Sequence, residues 1–97
     1  MRQAVMEFVR ILKSEVDIVK VIGESIPLRA AGVNRYVGLC PFHQENSPSF
    51  TVHSVHQIYK CFSCGAGGDV ITFLMKKDGI DFYEAVRRLA LRDNEVS

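Results

Sequence analysis

Three cysteines and a histidine carry the chemistry of this chain: Cys40-x2-His43, then seventeen residues, then Cys61-x2-Cys64. Three cysteines cannot pair off, so either one thiol is left over or a different residue completes the set. Two x2 knuckles separated by about 15–20 residues is the spacing of a zinc ribbon. Each knuckle offers two ligands from one tight turn, and zinc takes four nitrogen or sulfur ligands in a tetrahedron. Taken singly, a cysteine is more often a small buried hydrophobe and a histidine an ordinary surface or core residue. The paired spacing of all four points to a metal, with His43 as the fourth ligand. Pro41 stiffens the first knuckle, and Gly65 permits the positive φ that closes the second. His53 and His56 lie between the knuckles, but neither stands at x2 spacing from a cysteine, and they read as strand and turn residues.

Four protein ligands leave no open position for a reacting water, so a single Zn²⁺ here is structural and a zinc hydrolase is disfavoured. "CFSC" also has dithiol redox spacing, but the βαβ context of a thioredoxin-like site is missing. The N-terminal stretch "MRQAVMEFVRILKSEVD" carries charges inside its apolar pattern and has no small-residue cleavage site, so it does not read as a signal peptide. A cytosolic chain keeps its thiols reduced, which favours metal over disulfides. No apolar run approaches the length that spans a bilayer, and no membrane partner is expected.

The elements that must position the ligands follow from the pattern around them. The 97 residues suit one small domain with a modest core. Val5, Phe8, Val9 and Leu12 recur at helical spacing in a helical segment over residues 1–27. Ser14 with Asp17 resembles a capping box that breaks this segment in two, the second piece carrying Val16, Val19, Ile22 and Ile26 before Pro27. Residues 28–66 turn strand-like. Gly32 and Asn34 mark a hairpin, "SFTVHS" alternates Phe50 and Val52 with polar residues, and "QIYKCF" reads as its antiparallel partner. Residues 67–97 return to helix, with Asp69 as one cap and Asp81 as the next, Glu84 reaching back to it. Gly79 separates the two helices, and "RDNEVS" is expected to fray. Helices at both ends of a stranded middle make the class α+β.

At the ligands and beyond them the sequence resembles a known family. "GLCPFHQENSPSF" and "QIYKCFSCGAGGDVITFLM", with "VDIVKVIGESIPL" before and "GIDFYEAVRRLA" after, are similar to the N-terminal zinc-binding domain of bacterial DnaG-type DNA primases. The resemblance covers nearly all of the chain except the first dozen residues. It implies a small antiparallel zinc-ribbon sheet flanked by helices. It also implies a domain that contacts single-stranded DNA template, helps select the start site and assists initiation of a short RNA primer in the cytoplasm, at the nucleoid. The polymerase domain that carries the catalytic carboxylates, in the same or another chain, would be the partner. Contact with the replicative helicase would run through parts outside these residues. The chain departs from the family at Ala30, Ala31 and His56, where lysines are common, and in a "GVNRYVG" turn one residue longer than usual.

A net charge of +1 does not itself point to nucleic acid. Between residues 28 and 64, however, Arg29, Arg35 and Lys60 stand against one acid, Glu45. Single strands are held by aromatic stacking beside a positive groove, so Arg29, Arg35, Tyr36, Tyr59 and Lys60 are the candidate contacts. Phe42, Phe50 and Phe62 are expected to pack as core. Three thiolates on one Zn²⁺ leave the centre net negative, so the metal itself does not attract phosphate. The competing reading is a zinc-ribbon protein-interaction module of a transcription or mobile-element protein, without direct DNA contact.

Overall fold

The computed structural model describes the backbone of residues 2–44 and 47–96, and side chains from Gln3 to Arg92 apart from the 45–46 gap. Glu45, the one acid of the stranded segment, lies outside the described residues.

Helix α1 spans Arg2–Glu15 and α2 spans Ile18–Gly23. Asp17 makes the break between them. It sits in extended conformation as the N-cap of α2, and its carboxylate accepts from Val19 N at 3.0 Å. The expected Ser14–Asp17 capping box does not form. Ser14 lies inside α1, and its hydroxyl donates back to Ile11 O at 2.6 Å.

Five strands follow: β1 Arg29–Ala30, β2 Arg35–Gly38, β3 Phe50–His53, β4 Ile58–Cys61 and β5 Gly67–Gly68. They form one antiparallel sheet in chain order. The β1–β2 turn bears the expected positive φ at Gly32 (119°) and Asn34 (58°), and Arg35 Nε braces it by donating to Ala31 O at 2.8 Å. β5 falls in the stretch that the sequence assigns to the helices. Two glycines offer no side-chain alternation to read, yet they pair with Tyr59 and Lys60.

Helix α3 spans Val70–Asp78 and α4 spans Phe82–Val96, so the backbone stays helical through the stretch expected to fray up to Val96. Asp69 caps α3 by accepting from Thr72 N at 2.9 Å, and Gly79 ends it in the left-handed region. Asp81 accepts from Glu84 N at 2.9 Å. Glu84 does not reach back to the cap. Its carboxylate takes Arg87 and Arg88 on the same helix instead.

The helices cover one face of the sheet. Between them lie Val9, Leu12, Ile18, Ile22, Phe73, Ala85 and Leu89, against Phe50, Val52 and Tyr59 from the strands. Val5 and Phe8, which share the apolar periodicity of α1, remain 40% and 50% exposed. Two long-range ties lock helices to sheet and to each other. Gln57, at positive φ in the β3–β4 turn, accepts from Ile18 N at 2.8 Å across 39 residues of sequence. Asp69 holds Lys13 of α1 at 2.8 Å.

Asp69 yields a pH-dependent prediction. Burial works against its carboxylate, but Lys13 and the Thr72 N–H outweigh that and set its pKa below the ordinary value of 3.8. A depressed pKa stabilises the fold fully above the unfolded value, and that stability is lost as pH falls through the folded value. Asn caps a helix about as well as Asp, so Asp69→Asn removes chiefly the Lys13 pair and should melt below wild type at neutral pH by a few degrees at most, for about 0.2–1 kcal/mol. The gap should hold down to about pH 4 and close below it, as read in paired melting curves.

Gly38 faces the core, where an added Cβ would lie 2.6 Å from Pro27 O and 3.2 Å from Leu28. The nearer atom is backbone and cannot swing aside. Gly38→Ala is expected to cost about 1–3 kcal/mol in denaturant titrations, by pushing β2 from the segment that leads into β1.

Candidate metal centre

The sheet ends where the ligands begin. Cys40 follows β2, Cys61 closes β4, and Phe50, the first residue of β3, pairs with Cys61 between them. The first knuckle curls back so that Phe42 N donates to Cys40 Sγ at 3.4 Å. The second closes through Gly65 N to Cys61 O at 2.9 Å, with Gly65 at φ 81°. Cys40 and Cys61 are buried, His43 is half-buried and Cys64 is exposed.

One ligand atom from each of Cys40, His43, Cys61 and Cys64 lies within 4.8 Å of all the others. Cys40 Sγ and Cys64 Sγ are 3.9 Å apart, and His43 Nε2 is 3.4 Å from Cys61 Sγ. Tetrahedral zinc, with Zn–S near 2.3 Å and Zn–N near 2.0–2.1 Å, has ligand-to-ligand edges of about 3.6–3.8 Å. The set fits that ion in both donor type and spacing. His43 Nδ1 faces Gln44 O at 3.1 Å, so this nitrogen carries the proton and Nε2 keeps its lone pair toward the sulfurs.

The two buried thiols differ. Burial pushes Cys40 up to about 12. Burial also opposes ionisation of Cys61, but the Cys64 N–H, His43, Ser49 and the Ser63 N–H outweigh it and bring this thiol down to about 6. A divalent cation supplies the positive charge that Cys40 needs to ionise in the same place.

Under the centre, Phe42, Phe50, Tyr59 and Phe73 form an aromatic cluster with ring centroids 5.3–6.2 Å apart. Phe42 and Phe50 pack as expected. Phe62 does not: it is 68% exposed. Cross-strand partners share a face, so the register sorts the remaining candidates. Tyr36, Val52 and Tyr59 stand in one row on the helix-covered face. Tyr59 is only 1% exposed, which removes it from the possible nucleic-acid contacts, and Tyr36 is half-buried against the core. Arg29, Val37, Thr51 and Lys60 form the adjacent row on the face opposite the helices, where Thr51 at its centre is itself buried, with Arg35 and His53 in the next. Arg29, Arg35 and Lys60 are exposed there, and Lys60 Nζ stands 5.5 Å from the centroid of the Phe62 ring. None of the five strands contains an acidic residue.

The profile of the CHC2 zinc finger, the zinc ribbon of DnaG, matches residues 4–96. The chain belongs to this family. Relatives of this CHC2 zinc finger include the DNA primase of Halalkalibacterium halodurans, 51% identical over 90 residues, which are 93% of this chain and 15% of that protein. The DNA primase of Geobacillus stearothermophilus is 52% identical over 86 residues, 89% of this chain and 14% of that one. Among solved structures, the zinc-binding and RNA polymerase domains of Aquifex aeolicus primase match with a TM-score of 0.83 and 44% identity, over 88% of this chain and 21% of that chain. The CHC2 zinc finger thus spans about one-seventh of the two primases it matches in sequence. Its fold, an antiparallel sheet flanked by helices, is that of the solved relative. Among the described residues no helix is long and apolar enough to cross a membrane.

Proposed function

We propose that this CHC2 zinc finger is the template-binding module of a DNA primase. It holds one structural zinc ion at Cys40, His43, Cys61 and Cys64. It lays single-stranded DNA across the open face of the sheet and assists a polymerase domain, in the same or another chain, to begin an RNA primer. It works in the cytoplasm, at the nucleoid, without touching the replicative helicase directly. The observation that carries the reading is the open face itself. Arg29, Arg35 and Lys60 stand on that face, on strands free of acidic residues, and the exposed ring of Phe62 lies beside Lys60. An exposed aromatic beside cations is what sequence-tolerant binding of single strands requires. That the relatives are DNA primases, one of them solved with an RNA polymerase domain, supports the setting.

Fluorescence anisotropy of a labelled single strand, titrated at several salt concentrations, tests it. Three cations on phosphates give a log–log salt slope of about −2, and each removal, as in Arg35→Ala or Lys60→Ala, should flatten it by about 0.7. A wild-type protein that binds no single strand at low salt would overturn template binding and leave a protein-interaction module.

A further inference from the structure

We propose that the cleft at the end of the sheet remote from the metal centre reads a single unstacked base of the bound strand. The proposal rests on the open-face reading above and adds a specificity site to it. The β1–β2 turn and the β3–β4 turn meet at this end, where Ser54 N donates to Asn34 O at 3.0 Å. Between them lies a cleft of about 260 Å³ lined by Val33, Asn34, His53, Val55 and His56. That is smaller than the roughly 300–1,000 Å³ of sites for drug-sized molecules and suits one planar ring system.

The lining has the chemistry for a base. Val33 and Val55 are 90% and 65% exposed, two apolar side chains at turn tips that gain nothing from the protein's own core. Apolar jaws suit the faces of a heterocycle. Asn34, His53 and His56 supply a carboxamide and two imidazoles, which offer both donors and acceptors to a base edge. Among the described residues none of these three side chains is hydrogen-bonded to another protein group. His53 pairs across the strands with Arg35, whose guanidinium braces the β1–β2 turn through Ala31 O and leaves a cation at this end of the sheet for an adjoining phosphate. At about 3.3 Å per residue, the cleft lies about 13 Å along the strands from Phe62, within reach of one short oligonucleotide. Stacking at one end and edge recognition at the other is how proteins select among splayed single-stranded bases.

Anisotropy with short homopolymers of thymidine, deoxyadenosine and deoxycytidine separates the cleft from the platform. Wild type is expected to favour one homopolymer by about tenfold, the worth of one good base-edge contact. His53→Ala and His56→Ala should collapse that preference to within about twofold, with zinc content and circular dichroism checked to match wild type. Equal binding of all homopolymers by wild type, or a preference that survives both substitutions, overturns the base-reading cleft and leaves the open face as a non-selective platform. No binding of any homopolymer by wild type overturns the open-face reading, and the cleft with it.

Discussion

Stripping the metal with a chelator, or replacing Cys61 with Ser, is expected to collapse the sheet and abolish the cooperative melt. Cys61 is fully buried at the end of β4, and its thiolate lies against His43 Nε2. The four residues come from the ends of two strands, from a loop and from a tight turn, so an ion bound among them would tie together segments far apart in sequence. Metal binding in small zinc domains contributes folding free energy on the order of 10 kcal/mol, comparable with the whole stability of an ordinary domain, about 5–15 kcal/mol. A core of this size has no margin to replace it. Near-ultraviolet circular dichroism should report the loss of the aromatic cluster, while part of the α1 and α4 helicity persists in the far ultraviolet. Zinc analysis should give one ion per chain before treatment. A melting temperature unmoved by complete metal removal would refute the structural role.

Truncating two phenylalanines twelve residues apart should produce opposite phenotypes. Phe50 is wholly buried, stacked on Tyr59 at 5.3 Å and packed edge-on to Phe42 and Phe73. Phe50→Ala opens a cavity directly under the metal centre and should cost about 3–5 kcal/mol, a large part of the total. Phe62 projects from the open face, 68% exposed, with Lys60 Nζ 5.5 Å from its ring centroid. Phe62→Ala should leave stability within about 0.5 kcal/mol of wild type. It should nonetheless weaken single-strand binding by about 1–3 kcal/mol, roughly tenfold or more, by removing a stacking platform. Paired denaturant and anisotropy titrations on the two variants check this. A Phe62→Ala protein that unfolds like Phe50→Ala would mean that the ring belongs to the core.

The two phenylalanines also show how far the sequence could be read. That Cys40, His43, Cys61 and Cys64 come together was legible because two x2 pairs of thiols and imidazole at ribbon spacing seldom arise except around a metal. The first hairpin was legible because Gly32 and Asn34 tolerate positive φ. The sides of the sheet were harder. Aromatic residues beside ligands suggest packing, which misplaces Phe62, and a tyrosine next to a lysine suggests a stacking contact, which misplaces Tyr59. The signal that sorts them was present: if Cys61 points into the fold, alternation sends Tyr59 inward and Lys60 and Phe62 outward. Gly67 and Gly68 pair through backbone alone, so no side-chain pattern announces β5. Nor does any local pattern link Gln57 to Ile18, since the contact depends on how the hairpin and helices come to rest against one another.

That last contact bears on how the molecule opens. The amide of Ile18 would ordinarily exchange its hydrogen quickly, as one of the unsatisfied donors in the first turn of a helix. Here its acceptor belongs to a turn between two strands, held in place by a hairpin whose far end carries metal ligands. The Ile18 amide should therefore exchange in step with the hairpin amides rather than with the fraying ends of its own helix. Loosening the zinc knuckles would then be felt, as faster exchange, in the helical layer on the other side of the molecule.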